Sequence, residues 1–254
     1  MDTRDLLIRI YEQLFRARGH QRWWPGDGPF EIVVGAVLTQ NTAWVNVERA
    51  IANLKAANAL DPHRLANLPH ERLASLIRPA GYFNVKARRL RAVVEFVLRE
   101  GGGDVRAIGR AEDTLRLRRR LLEVPGVGRE TADSILLYAL KRPIFVVDAY
   151  TRRMFSRIGL VDAASDYDEI RTVFEQHLPA DVDLFNDYHA QIVVHGKETC
   201  RPRPRCGSCV VREFCGWDSP IAGPAARARK KDRWNRTPEA GPRIPDSGVR
   251  TPER

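Results

Sequence analysis

The segment LLEVPGVGRETADSILLYAL, residues 121–140, constrains the fold more than any other stretch of the chain. Apolar spacing predicts one helix over Thr114–Leu122 and a second over Thr131–Leu140. Between them, Val124-Pro125-Gly126-Val127-Gly128 has the composition of a tight turn. Two helices joined so closely fold back on each other as a hairpin and leave several backbone N–H groups pointing outward. With the positive end of the second helix, those groups make a seat for an anion. Gly126 and Gly128 permit the turn and let a phosphate approach the backbone. Pro125, Gly126, Val127 and Gly128 are therefore candidate phosphate contacts, although helical hairpins of other kinds share such a turn.

The rest of the chain fits the same fold class. An amphipathic helix is expected over Asp5–Ala17, followed by a turn at Trp23-Trp24-Pro25-Gly26. Phe30–Leu38 is apolar enough for a buried strand, but the helical segment Val45–Lys55 that follows favours a buried helix. Asp61-Pro62 is a capping pair that starts another helix, and Pro69–Ile77 makes a further short one. Lys86–Arg99 has helical spacing at Leu90, Val93, Val94 and Val97 and stops at Gly101-Gly102-Gly103. Pro143–Val147 is strand-like and leads into a helix over Ala149–Ile158. Helices over Tyr167–His177 and Asp183–Lys197 complete a nearly all-α chain.

Net charge is +10, which points to a polyanionic partner, nucleic acid first. The basic residues are 36 arginines against six lysines, a skew that genome composition also produces. No apolar run approaches the roughly 18–20 residues that span a bilayer. The N-terminus is acidic early and lacks a small-residue cleavage site, so the expectation is a cytoplasmic protein with no membrane partner. From Asp218 onward Pro, Gly and Arg dominate, and too little apolar surface remains to offset ordering entropy. Residues 218–254 are expected to be a disordered basic tail carrying +4 of the net charge, either an aid to DNA affinity or inert.

All four cysteines, Cys200, Cys206, Cys209 and Cys215, fall within 16 residues. A cluster of this kind in a cytoplasmic chain suits a metal better than disulfides. Four thiolates can hold a tetrahedral zinc or a [4Fe–4S] cluster. Zinc sites more often pair two Cys-x2-Cys knuckles, and here there is one. The first spacer, Arg201-Pro202-Arg203-Pro204-Arg205, presents three arginines on a stiff loop, which reads as phosphate contact.

Twenty residues after Gly128 comes Asp148, in FVVDAYTRRMF. Alone, such an aspartate is most simply a helix N-cap. A helix-hairpin-helix followed at this distance by an aspartate resembles the endonuclease III superfamily of DNA glycosylases, over roughly residues 20 to 215. That resemblance implies an all-α, two-domain fold with a C-terminal [4Fe–4S] cluster loop at 200–215. It implies a base-excision repair N-glycosylase, a monomer acting on double-stranded DNA that contains a damaged base. Residues 27–145 would form the helical domain with the hairpin at about 114–140, while 1–26 would pack with a second domain, 146–217. Asp148 would lie at their junction, at the mouth of the base pocket, stabilising the oxocarbenium character of the sugar or orienting water. Gln40, in LTQNTAW, would fill the hole left by the everted base, and Tyr82, in AGYFNVKARRL, would wedge the opposite strand. The cysteine pattern differs from that of endonuclease III by one residue in the first spacer, five instead of six.

Bifunctional enzymes of this superfamily place a Schiff-base lysine where this chain has Glu130, and the only lysine expected nearby is Lys141 at the far end of the helix. The expectation is a monofunctional enzyme that uses water. RWWPGDGPFEIVVGAVLTQNTAW, GYFNVKARRL and GRETADSILLYA together resemble the bacterial 3-methyladenine glycosylase branch. N3- and N7-alkylated purines are cationic and already good leaving groups. Glu130 and Asp148, with Trp44, Tyr150 and Trp24 (or Trp23) as walls, would favour such a base by charge and cation–π contact. Two other readings are an endonuclease III-type enzyme for oxidised or mismatched pyrimidines and a catalytically weak DNA-binding iron–sulfur protein.

Overall fold

The computed structural model describes residues 1–110 and 112–217, so the basic tail expected over 218–254 lies outside the described residues. Eleven helices follow in order among the described residues: α1 (Thr3–Arg18), α2 (Pro29–Leu38), α3 (Trp44–Ala56), α4 (Pro62–Asn67), α5 (His70–Leu76), α6 (Phe83–Gly101), α7 (Thr114–Leu122), α8 (Arg129–Ser134), α9 (Ala149–Ile158), α10 (Tyr167–His177) and α11 (Val182–Glu198). Short 3₁₀ turns join some of them, and no strand occurs among the described residues.

Aspartate side chains start most of these helices. Asp2, Asp61, Asp113, Asp148, Asp166 and Asp181 each accept a hydrogen bond from a first-turn N–H that would otherwise be orphaned. At Asp166 the cap is reciprocal, because Glu169 accepts from the Asp166 N–H at 2.8 Å. Helix α2 begins differently, with Pro29 supplying a pre-set φ after Gly28. Its residues from Ile32 to Leu38 are all buried. It is the central rod, packed against α3, α6 and the end of the hairpin.

Two expectations are corrected. Pro143–Val147 is irregular, with no strand to pair with; the Ile144 N–H turns back to the Arg142 carbonyl (2.9 Å), while side chains take the Phe145 N–H (Glu175, 2.9 Å) and the Val147 N–H (the Tyr167 hydroxyl, 3.2 Å). The helix expected over Thr131–Leu140 begins earlier and does not stay α-helical. After α8 the chain widens into a π-turn over Ile135–Ala139, where the Leu140 N–H reaches the Ile135 carbonyl five residues back (3.0 Å).

The hairpin is pinned internally. Arg118 on α7 makes a two-pronged pair with buried Asp133 on α8, at 2.6 and 3.1 Å. Asp133 is fully buried, so removing Arg118 would leave that carboxylate without its main partner, at a cost of about 3–5 kcal/mol, whereas Arg118 also pairs with Asp168 at 2.7 Å. On the other side of the molecule α1 packs on α10 and α11, and α9 packs on α11. One continuous apolar core runs from Leu7 and Ile10 of α1 through Val34 and Val37 of α2 to Phe155, Phe174 and Tyr188.

Candidate active site

A pocket of about 320 Å³ opens between the hairpin and helices α9 and α11. That volume is at the lower end for small-ligand pockets, roughly 300–1,000 Å³. Trp23, Trp24, Trp44 and Tyr150 supply aromatic walls, and Glu130, Asp148 and His189 supply the polar ones. The sequence-expected residues Trp24, Trp44, Tyr150, Glu130 and Asp148 are thus brought together, and Trp23 joins them. Trp24 packs edge-on to Trp44, with centroids 5.1 Å apart, and tilts over Tyr138 at 4.9 Å.

Asp148 is a helix cap and a pocket residue at once. Its Oδ1 accepts from the Thr151 N–H (2.7 Å) and the Thr151 hydroxyl (3.0 Å), which fixes the carboxylate plane. Its Oδ2 faces the pocket, with His189 Nε2 at 3.6 Å, inside ion-pair reach and outside hydrogen-bond reach. Burial by itself would raise the carboxyl's pKa; His189 and the two Thr151 bonds outweigh burial and hold it below the usual carboxylate range.

Glu130 behaves in the opposite way. It is reached by solvent through the open mouth, yet its carboxyl sits deep between pocket walls. Loss of solvent and then the Asp148 charge push it up to about 7, with His189 opposing. Two carboxyls in one pocket therefore have proton affinities driven apart, as acid–base sites require. Lys197 also lines the pocket, with its ammonium 5.8 Å from the Trp23 ring centroid. This corrects the expectation that Lys141 is the nearest lysine; α11 folds back and delivers one from 67 positions beyond Glu130.

The hairpin turn borders a wider cleft of about 740 Å³, shared by Gln40, Asn41, Arg89, Gly126, Val127, Gly128, Arg129 and Glu130. Gly126 has φ +87°, and a Cβ there would come within 2.2 Å of Arg89 Cγ, so this position requires glycine twice over. Val127 turns its side chain into the core (7% exposed), leaving only its backbone for the cleft. Pro125 faces a separate cavity with Arg99 and Arg120.

Gln40 is docked on the hairpin: its carboxamide N–H₂ donates to the Gly126 carbonyl and the Thr131 hydroxyl, both at 3.0 Å, and its oxygen accepts from Arg89. Tyr82 stands out at 74% exposure, on a residue with φ +44° just before α6. Buried Lys86 joins the two loops, donating to Leu38 O (2.9 Å) and Ala80 O (2.7 Å), two residues before Gln40 and Tyr82 respectively. Burial pulls its ammonium down to about 8.

The cysteine loop hangs from the other ends of α9 and α11. Buried Arg153 donates to Cys200 O and Gly196 O, both at 2.8 Å. Arg157 donates to Arg201 O (2.6 Å) and Pro202 O (2.9 Å) and lies 3.3 Å from Cys200 Sγ. His195 Nδ1 faces Arg18, so Nε2 presents its proton to Cys209 Sγ at 3.5 Å. Burial and then the three neighbouring cysteines push the Cys209 thiol up to about 11. Four sulfurs that sense one another are one donor set, although among the described residues no three ligating side chains converge on a single ion's position. Arg201, Arg203 and Arg205 are exposed.

Sequence reasoning missed His189, which lines the pocket, and Tyr138, which lies buried behind it against His189 and Trp24. Neither stands in a motif. His189 sits on a helix that reads as core, and Tyr138 occupies the π-turn.

Comparison with known proteins fits this geometry. Residues 34–180 match the profile of the HhH-GPD superfamily base excision DNA repair protein. A protein of Methanocaldococcus jannaschii, provisionally named a DNA repair glycosylase, is 49% identical over 83% of this chain and 96% of its own length. The structure of a non-covalent endonuclease III–DNA complex superposes with a TM-score of 0.73, covering 92% of this chain and all of that one, at 22% identity. The 3-methyladenine DNA glycosylase of H. pylori, solved with 1,N6-ethenoadenine, gives a TM-score of 0.65 at 27% identity, over 78% of this chain and 98% of that one.

Proposed function

The chain belongs to the HhH-GPD superfamily of base excision DNA repair proteins, and on that premise we propose that it is a monofunctional DNA glycosylase for cationic alkylated purines. One observation carries the substrate class: a pocket with aromatic walls holds two carboxyls against one ammonium. Stacking on Trp24 or Trp44 and a net negative field favour a base that bears positive charge in the ground state. Such a base leaves without being protonated, so the pocket needs no acid beside the leaving group. Ionised Asp148 is suited to stabilise the sugar cation. Glu130, poised near neutral pH, adds negative charge as it ionises. The likeness to the 3-methyladenine DNA glycosylase of H. pylori supports the same class.

In this reading the hairpin cleft and the exposed Arg201, Arg203 and Arg205 grip the phosphates of damaged double-stranded DNA. Tyr82 wedges the duplex, and Gln40 leaves its dock on the hairpin to fill the gap. Residues 27–145 form the hairpin-bearing domain, with 1–26 and 146–217 forming the other, and the protein works in the cytoplasm as a monomer. Among the described residues no helix is long and apolar enough to cross a membrane.

Cys200, Cys206, Cys209 and Cys215 would hold a [4Fe–4S] cluster, as four neighbouring thiols with a single Cys-x2-Cys pair suit its corners better than a single zinc. The cluster would supply cohesion to the arginine loop. His195 and Arg157 set the surroundings of Cys209 and Cys200.

Lys197 keeps a second reading open, because a pocket amine can form a Schiff base with the sugar and cleave the strand. The test is base release from methylated DNA with strand integrity followed in parallel. Release of 3-methyladenine or 7-methylguanine leaving unnicked abasic DNA is expected. Borohydride trapping of a covalent complex, lost in Lys197→Met, would overturn the monofunctional assignment. Release of thymine glycol or mismatched thymine instead would move the substrate to pyrimidines, and binding with no release would leave a silent DNA-binding protein.

A further inference from the structure

His189 is 5% exposed and forms the back of the pocket between Tyr138 and Asp148. Its Nδ1 lies 2.6 Å from the Tyr138 hydroxyl. That hydroxyl is fully buried, and burial raises its pKa well above the ordinary phenol value, so it keeps its proton and, toward a neutral imidazole, would donate it to Nδ1. The ring proton then sits on Nε2. Nε2 is buried and has no hydrogen-bond partner. Asp148 Oδ2 lies 3.6 Å from it, and the other carboxylate oxygen is fully used by Thr151. A donor and an acceptor thus face the same small volume, too far apart to bond each other. One oxygen placed about 2.8 Å from each would satisfy both once the two side chains part enough to admit it.

We propose that His189 and Asp148 together seat the water that attacks the sugar, with Tyr138 as the positioning residue that fixes the histidine tautomer. This rests on the glycosylase reading above. Nε2–H donates to one lone pair of the water, and the water donates one proton to Oδ2, which leaves the second lone pair aimed into the pocket at C1′. The C1′–N bond breaks and its electron pair departs with the base, so a cationic alkylated purine leaves neutral. The free lone pair forms the C1′–O bond, and the resulting oxonium passes its proton to Oδ2. Even a carboxylate held below its usual range is far more basic than an oxonium, so Asp148 need not be a strong base to accept it.

The experiment compares wild type with His189→Phe, His189→Gln and Tyr138→Phe on DNA carrying 7-methylguanine, by single-turnover base release. A second readout is the share of sugar captured as the methyl glycoside in water–methanol mixtures. With a seated water, wild type yields little methyl glycoside. His189→Phe should slow release by about 10²-fold, without weakening DNA binding, and raise the methanol share several-fold. His189→Gln, which places an amide donor near Nε2, should recover about tenfold of that loss, and Tyr138→Phe should lose about tenfold. A purely structural role would lower the folded fraction and leave the methanol share untouched. Should His189→Phe fail to fold, an unchanged methanol share and rate in the other two variants would overturn the inference. An active wild type with His189→Phe equally active would overturn it while the glycosylase reading stands. A wild type that releases no base from any damaged DNA would overturn the reading itself, and the water seat with it.

Discussion

Helices α9 and α11 serve two regions that are built on opposite principles. On one side, Asp148, His189 and Lys197 line the pocket; on the other, Arg153, Arg157 and His195 hold the cysteine loop. The loop end is tied down, with two buried guanidinium groups spending their donors on four backbone carbonyls. The pocket side leaves its chemistry available: His189 Nε2 makes no hydrogen bond, Asp148 Oδ2 lies 3.6 Å from it, and Glu130 has a displaced proton affinity. The two histidines, six residues apart on α11, show the contrast directly. Each has its Nδ1 occupied and its Nε2 aimed at an acidic group, His195 at a cysteine of the loop across 3.5 Å and His189 at a carboxylate of the pocket across 3.6 Å. The groups at the loop spend most of their donors on backbone carbonyls, whereas the pocket groups keep theirs for the cavity.

Three substitutions would sharpen or break this contrast. The largest effect is expected at Asp148→Asn, where base release from methylated DNA should fall by about 10³-fold. Asparagine is as good an N-cap as aspartate, so the melting temperature should stay near that of wild type. A large drop in melting temperature alongside the lost activity would show that the carboxylate holds the fold and that the contrast is false.

Arg157→Met tests the other end. It removes the donors to the Arg201 and Pro202 carbonyls. Hydrogen bonds from a charged donor are each worth about 1.5–3 kcal/mol, so a loss of a few kcal/mol, or about 5–10 °C in melting temperature, is expected. Base release per folded molecule should stay close to wild type. A rate loss without a stability loss would tie the loop directly to the chemistry.

Glu130→Gln should produce the smallest change, visible as a pH dependence. Glu130 is pushed up to about 7, so wild type gains negative potential in the pocket as pH rises through that value. Release of a cationic purine should therefore rise about three- to tenfold across that window, and the glutamine variant should show no such limb. Stability runs the other way: a carboxyl raised by folding contributes fully below the ordinary carboxyl range, and the contribution is lost as pH rises through about 7. A thermal-melt series from pH 5 to 8 should show wild type losing ground against the variant. Parallel profiles would mean that solvent reaches the carboxyl freely.

Local signals in the sequence were enough to determine most of the helices. Capping aspartates, glycine stops and apolar spacing act within a few residues, so α7 and α9 run over the spans their sequence predicts, and the PGVG turn lies where its glycines require. Asp148 and Glu130 could be found because they sit at fixed offsets from that turn. Only the tertiary structure decided the rest of the pocket. His189 and Lys197 arrive on a helix more than 50 residues beyond Glu130, and the π-turn that carries Tyr138 looks like ordinary helix in the sequence. The segment over 143–147 likewise lacked a partner strand that no local pattern could supply or deny. Proton affinities were settled at the same level: identical carboxyls on Glu130 and Asp148 diverge because burial and neighbouring charge are fixed only when distant helices meet.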